Sequence, residues 1–152
     1  MDYIEQRNEI AIQARGRILQ AAALFEKMAD VFLSMYYSQK GKQKPFMLIF
    51  LSKMELSKKV EALIETIGLY PNKLKDEHPN YESEIRKIVT VRNVMAHEVL
   101  EPIGEEFDPE GVLQFDNYKK NRKISRYSTE DVNFAVANIE KYSTAILQLV
   151  AT

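Results

Sequence analysis

There is no cysteine in the chain, and there are only two histidines, His78 and His97. Disulfides, thiolate metal sites and a cysteine nucleophile are therefore excluded, and the composition suits a reducing compartment. No carboxylate or histidine spacing resembles HExxH or a calcium-binding loop, so neither metal nor other cofactor is expected. Glycine and proline are scarce, at five each, while 45% of residues are hydrophobic and 28% charged, a profile that favours a helical protein over a sandwich, a barrel or a disordered chain. Neither charge dominates: 21 Lys and Arg face 22 Asp and Glu. Nothing in that balance draws the whole molecule to nucleic acid or to anionic lipid, so any such partner must use a local patch. Long apolar runs are also missing. The longest, "FMLIFL", is far below the roughly 20 residues that span a bilayer, and "MDYIEQRNEIAIQ" does not read as a leader. The expectation is a cytoplasmic protein with no membrane partner, and its 152 residues suit a single domain over 1–152.

What is present is periodic. From Ile4 to about Tyr37, Ala11, Ala14, Ile18, Ala21, Phe25, Met28 and Phe32 recur at threes and fours, which predicts a long helix ending before "SQKGKQKP". A second helix is expected from Pro45 to Ile67, with Ile49, Leu56, Val60, Leu63 and Ile67 on one face and Gly68 as its C-terminal cap. "LYPNKLKDEHPN" reads as a loop with one short helical turn. The third helix starts near Asn80 and carries Tyr81, Ile85, Ile88, Arg92, Met95 and Val99 on its stripe. The helix has ended by Pro102, where the proline- and glycine-containing acidic stretch "EPIGEEFDPEG" begins. "VLQFDNYKKNRKISRY" suggests a β-hairpin around "KKNR", and "STED", Ser128 to Asp131, resembles a capping box before a last helix with Val132, Ala135, Ile139, Tyr142, Ile146 and Leu149 on its stripe. The fold class is all-α: an up-and-down four-helix bundle with a small β-hairpin inserted before the last helix.

The third stripe is interrupted by polar groups in "VTVRNVMAHEVL". Asn93 and His97 are four apart and lie one turn above the other, while Arg92 flanks them about 140° from His97. His97 falls at the end of its helix, where the dipole favours an imidazolium. Guanidinium, amide and imidazole suit phosphoryl chemistry, because arginine can hold a phosphate and neutralise a growing charge while histidine moves protons. RNA supplies its own 2′-hydroxyl nucleophile and asks for nothing more. A second copy across a dimer axis would bring in the same patch again.

"RNVMAH", Arg92 to His97, resembles the R-x4-6-H motif of the HEPN superfamily. That resemblance implies a small helical bundle, usually dimeric, with two motifs meeting in one cleft. It also implies metal-independent endoribonuclease activity in toxin-antitoxin, abortive-infection or CRISPR-effector settings. Arg92 and His97 would be catalytic, and Asn93 would position the phosphate or the histidine. One branch, the toxins paired with nucleotide transferases, extends the motif to a tyrosine two residues after the histidine. Here that residue is Val99, so the branch is not assigned.

Plainer readings stand beside these. Arg92 could be ion-paired with Glu61 or Glu65, His97 could simply cap carbonyls, and His78 reads as a solvated loop residue. Lys119, Lys120, Arg122, Lys123 and Arg126, interleaved with Phe115, Tyr118 and Tyr127, form a candidate RNA-binding hairpin, although charged hairpins also serve as solvated edges. Lys42, Lys44, Lys53, Lys58 and Lys59 make a weaker basic group, interleaved with Glu55 and Glu61. The acidic run from Glu98 to Glu110 follows the motif directly. Two other functions therefore stay open: an inactive HEPN-like interaction or regulatory module, and an antitoxin or inhibitor whose acidic segment covers a basic partner.

Overall fold

A computed structural model describes residues 3–100, 113–117 and 123–151. The chain is mainly helical. Helix α1 (Tyr3–Tyr37) runs for 35 residues, unbroken because its first proline comes only at Pro45 and its interior is rich in Ala, Leu, Gln, Glu and Met. The turn after it passes through Gly41 at φ 84°, a left-handed conformation that glycine adopts without the Cβ clash. Gly16 is the opposite case: it sits mid-helix, exposed, and a Cβ there would meet nothing within 4 Å. Gly16→Ala should therefore raise stability by about 0.5–1 kcal/mol through reduced freedom of the unfolded chain. A thermal melt that stays unchanged or falls would contradict this.

The expected second helix is divided. Helix α2 (Gln43–Ile49) is followed by a short 3-10 turn over Leu51–Lys53, and helix α3 (Leu56–Gly68) begins afresh after the extended residues Met54 and Glu55. Pro45 is the third residue of α2 rather than the first, a place where its missing N–H still costs no helical bond. The division turns Ile49 out of the expected stripe: it is exposed, while Leu56, Val60, Leu63 and Ile67 are buried. Gly68 is not a left-handed cap either, since the residue that closes α3 is Leu69 in ordinary right-handed geometry.

Helix α4 (Lys73–Glu77) is one short turn fixed by Asn72. The Asn72 side-chain oxygen accepts from the Lys75 N–H at 3.0 Å, while its amide donates to the Ile67 and Tyr70 carbonyls at 2.9 and 3.0 Å. Helix α5 (Tyr81–His97) follows. Its buried residues are Tyr81, Ile85, Ile88, Val91, Val94 and Met95, so the two valines occupy the seam and Arg92 stands at its margin, half-buried. Val99 is not helical. It belongs to strand β1 (Val99–Leu100), which pairs antiparallel with β2 (Leu113–Asn117), and β2 pairs with β3 (Lys123–Tyr127) in the order β1-β2-β3. Leu113 and Phe115 alternate inward and are buried, docking the sheet on the helices.

Helix α6 (Thr129–Ala151) opens with the expected capping box: the Ser128 N–H donates to Asp131 Oδ2 at 2.8 Å, and the Asp131 N–H donates to Ser128 Oγ at 3.1 Å. Helices α1, α3, α5 and α6 share one core, with α1 lying against both α5 and α6 and α3 against α5. Among the described residues no helix is long and apolar enough to cross a membrane.

A lysine is buried among the helices. Lys59, which the sequence groups with surface lysines, is only 2% exposed; its Nζ donates to Glu26 Oε1 at 2.9 Å and lies 2.8 Å from Asp30 Oδ1. Burial works against that ammonium, but the Asp30 and Glu26 carboxylates outweigh it and hold its pKa above the ordinary 10.5.

Candidate functional site

The polar interruption lies on the last two turns of α5. Asn93 and His97 are both exposed, and the half-buried Arg92 donates from Nη1 to Asn93 Oδ1 at 3.3 Å. That contact joins arginine and amide side by side. Among the described residues Arg92 makes no ion pair. Glu61, one of the carboxylates the sequence offers as its partner, is instead paired with Arg86, whose Nε and Nη2 donate to Glu61 Oε1 and Oε2 at 2.8 and 3.0 Å. This fork lowers the pKa of Glu61 and raises that of Arg86, in each case chiefly through the hydrogen bond.

His97 is the final residue of α5, and the backbone of Glu98 closes the helix by donating to the Val94 carbonyl. Arg15 reinforces that end from across the core. Its Nη2 donates to the Glu98 carbonyl at 2.8 Å, and its guanidinium carbon stands 5.1 Å from the centre of the Phe115 ring. Sequence reasoning misses Arg15, because it lies between Ala14 and Gly16 on α1 with no local signal; only the packing of α1 against α5 and β2 brings it there. Glu98 Oε2 is buried and, among the described residues, without a hydrogen-bond partner. Burial first, then the charges of Glu98 and Asp131, push the Tyr127 hydroxyl above its ordinary pKa of 10.0.

The sheet orients the basic hairpin relative to the motif. Val99 pairs with Asp116, which pairs with Ile124, and the next rung toward the hairpin tip joins Asn117 to Lys123. His97 precedes Val99, so it lies at the same end of the sheet as that last rung. Strands β1 and β3 are two strand spacings apart, about 10 Å. Lys119, Lys120 and Arg122 lie outside the described residues, as do the acidic residues of 101–110. Lys123 begins β3, and Arg126, exposed and paired with Gln114, lies farther from the tip.

A separate polar cluster involves the other histidine. The half-buried His78 ring lies 5.4 Å from the ring of Tyr142, so His78 packs against the core rather than standing free in solvent. Asn138 donates to the Glu84 carbonyl at 3.1 Å, and Lys141 donates to Glu84 Oε2 at 2.6 Å. Among the described residues the buried Tyr142 hydroxyl finds no partner of hydrogen-bonding geometry, and burial and then the nearby Glu84 carboxylate push its pKa strongly upward. Lys141 lowers the pKa of Glu84 below its ordinary 4.5, mainly through the hydrogen bond. A depressed carboxylate contributes stability above its unfolded pKa and loses it as pH falls through the folded one. Lys141→Met should thus destabilise the protein at pH 7 and flatten the loss of stability below about pH 4.5. A variant whose acid melting curve parallels the parent's would show that this pair contributes nothing.

No known protein family, curated protein or solved structure matches the chain. The site therefore has to be read from its own chemistry. It offers a guanidinium that pairs with no carboxylate among the described residues, an amide beside it and an exposed imidazole one turn on, next to the end of the sheet where β2 and β3 lead into the basic segment of the sequence. Among the described residues no group of three or more His, Asp or Glu side chains converges as metal ligands would.

Proposed function

We propose that helices α1, α3, α5 and α6 form an up-and-down four-helix bundle of HEPN type and that the protein is a homodimeric, metal-independent endoribonuclease. Its substrate is single-stranded or looped RNA, and its setting is a toxin or antiphage defence system. The 2′-hydroxyl attacks the adjacent phosphorus, the bond to the 5′-oxygen breaks, and the products are a 2′,3′-cyclic phosphate and a 5′-hydroxyl. His97 moves the proton, Arg92 holds the phosphate and neutralises charge on the phosphorane, and Asn93 orients the guanidinium. The observation that carries this reading is the state of Arg92: it stands half-buried at the margin of an apolar seam beside Asn93 and, among the described residues, pairs with no carboxylate. An arginine retained only for packing gains most by pairing with a carboxylate, whereas a phosphate-binding arginine has to be left open. Lys119, Lys120, Arg122, Lys123 and Arg126 supply backbone contacts to the strand.

The test is incubation of the purified protein with several unstructured and hairpin RNAs, with and without EDTA. Cleavage that survives EDTA and leaves cyclic-phosphate ends is the expected result. Cleavage that needs an added metal ion overturns the reading. The second reading is an inactive HEPN-like interaction or regulatory module, engaged with a regulatory or antitoxin protein. The Arg92–Asn93 contact favours it to the extent that it satisfies the guanidinium within its own helix. No cleavage of any RNA, together with unchanged folding after Arg92→Met, selects the module.

A further inference from the structure

Helix α2 buries none of its residues. Leu48, Ile49 and Phe50 are 62%, 53% and 60% exposed, an apolar ridge that begins at the half-buried Phe46 and ends where Leu51 drops into the core. Beside the ridge lies a cleft of about 270 Å³ walled by Phe46, Ile49, Phe50, Pro45 and Lys42. Along the chain, the charges beside it have one sign. Between Asp30 and Glu55 every charged residue is a lysine, namely Lys40, Lys42, Lys44 and Lys53, and all four are exposed. The Asp30 carboxylate lies against the buried Lys59.

We infer that this ridge is a peripheral docking surface for anionic lipid bilayers, with Leu48, Ile49 and Phe50 entering the boundary between headgroups and acyl chains and Lys40, Lys42, Lys44 and Lys53 lying among the headgroup phosphates and carboxylates. The pairing of exposed aliphatic side chains with an all-lysine rim selects this occupant. A second copy of the chain meeting the same patch across a two-fold axis would set lysines against lysines. A nucleic-acid strand would use the phenylalanine rings but has no use for Leu48 and Ile49, which offer no face for a base to stack on. An anionic bilayer satisfies both parts: the apolar side chains leave water, and each lysine gains from the negative surface. The expectation of no membrane partner rested on the missing span and the balanced charge, and contact of a local lysine patch with one leaflet requires neither a span nor a net positive charge. This inference is independent of the ribonuclease reading.

The chain contains no tryptophan, so Phe50→Trp places a single reporter on the ridge. On mixing with vesicles of phosphatidylcholine containing about a third phosphatidylserine, its emission should shift to the blue, and the unsubstituted protein should co-sediment with them. Vesicles of phosphatidylcholine alone should hold at least about tenfold less protein, because each lysine near an anionic surface contributes roughly fivefold in affinity. Lys42→Glu combined with Lys44→Glu should weaken binding by about twentyfold or more, and Leu48→Ser should weaken it on both kinds of vesicle. All these positions are exposed, so the melting temperatures of the variants should match the parent's. Binding to neither vesicle, equal binding to both, or binding unaffected by the lysine reversals overturns the proposal. So does a dimer in solution that Leu48→Ser dissociates, since the ridge would then be occupied by a second copy.

Discussion

Arg92→Ala and His97→Ala are each expected to slow RNA cleavage by a hundredfold or more, because removing one stabiliser of the charged transition state raises the barrier by about 2.7–4 kcal/mol. Both variants should remain folded. His97 is exposed at the end of α5, and Arg92 has no ion pair among the described residues, so neither loss leaves a buried carboxylate behind. Asn93→Ala should cost less, since Asn93 acts on the phosphate through Arg92. Two groups that act on one transition state do not add independently, and the double variant Arg92→Ala with His97→Ala should be little slower than the worse single variant. If either single variant cleaves at the parental rate, the assignment of roles fails.

Lys59→Ala is the substitution expected to harm folding most, by about 3 kcal/mol, the lower end of what breaking a buried ion pair costs. The lower end applies because Glu26 and Asp30 keep 33% and 24% of their side-chain surface in water and are not stranded in a dry interior. For a chain of this size the loss corresponds to a fall in melting temperature of roughly 6–12 °C. The charge and the carbon stem can be separated. Lys59→Met keeps the stem but leaves Glu26 and Asp30 one turn apart as like charges, and adding Glu26→Gln with Asp30→Asn should restore much of the loss. The sign with pH also follows. A lysine whose folded pKa lies above 10.5 contributes fully below that value and loses its contribution as pH rises through the higher folded one, so the parent and Lys59→Met should converge only in strong alkali. Parent and Lys59→Ala melting together at pH 7 would mean that the triad is not closed in solution.

The sequence makes the long helices legible because their apolar residues repeat with the helical period over many turns, and the Ser128–Asp131 box marks the start of α6 to within a residue. Three features escape that logic. "FMLIFL" is apolar at every position and so has no period; nothing in it announces that Leu51 goes inward while Leu48, Ile49 and Phe50 stay out. Val99 fits a helical stripe and a strand equally well, and pairing with Asp116 across a connection distant in sequence decides between them. Lys59 stands three residues after Leu56 and four before Leu63, so its spacing already places it on the buried face; its charge argued otherwise until α1 supplied two carboxylates. For the candidate site, the sequence marks Arg92, Asn93 and His97 as polar residues within an apolar stripe, whereas the structure runs the buried seam through Val91, Val94 and Met95 and leaves Arg92 at its margin and Asn93 and His97 exposed. The sequence does not mark Arg15, whose role arises only where α1 crosses the end of α5.

The strand formed by Val99 and Leu100 begins two residues after the histidine and ties β2 and β3 to the motif helix. Without it β2 and β3 would be a two-stranded ribbon held to the helices through the buried Leu113 and Phe115. If the ribbon grips RNA and His97 delivers the proton, as proposed, the two acts are mechanically joined, because only two peptide units separate the imidazole from the first paired residue of the sheet.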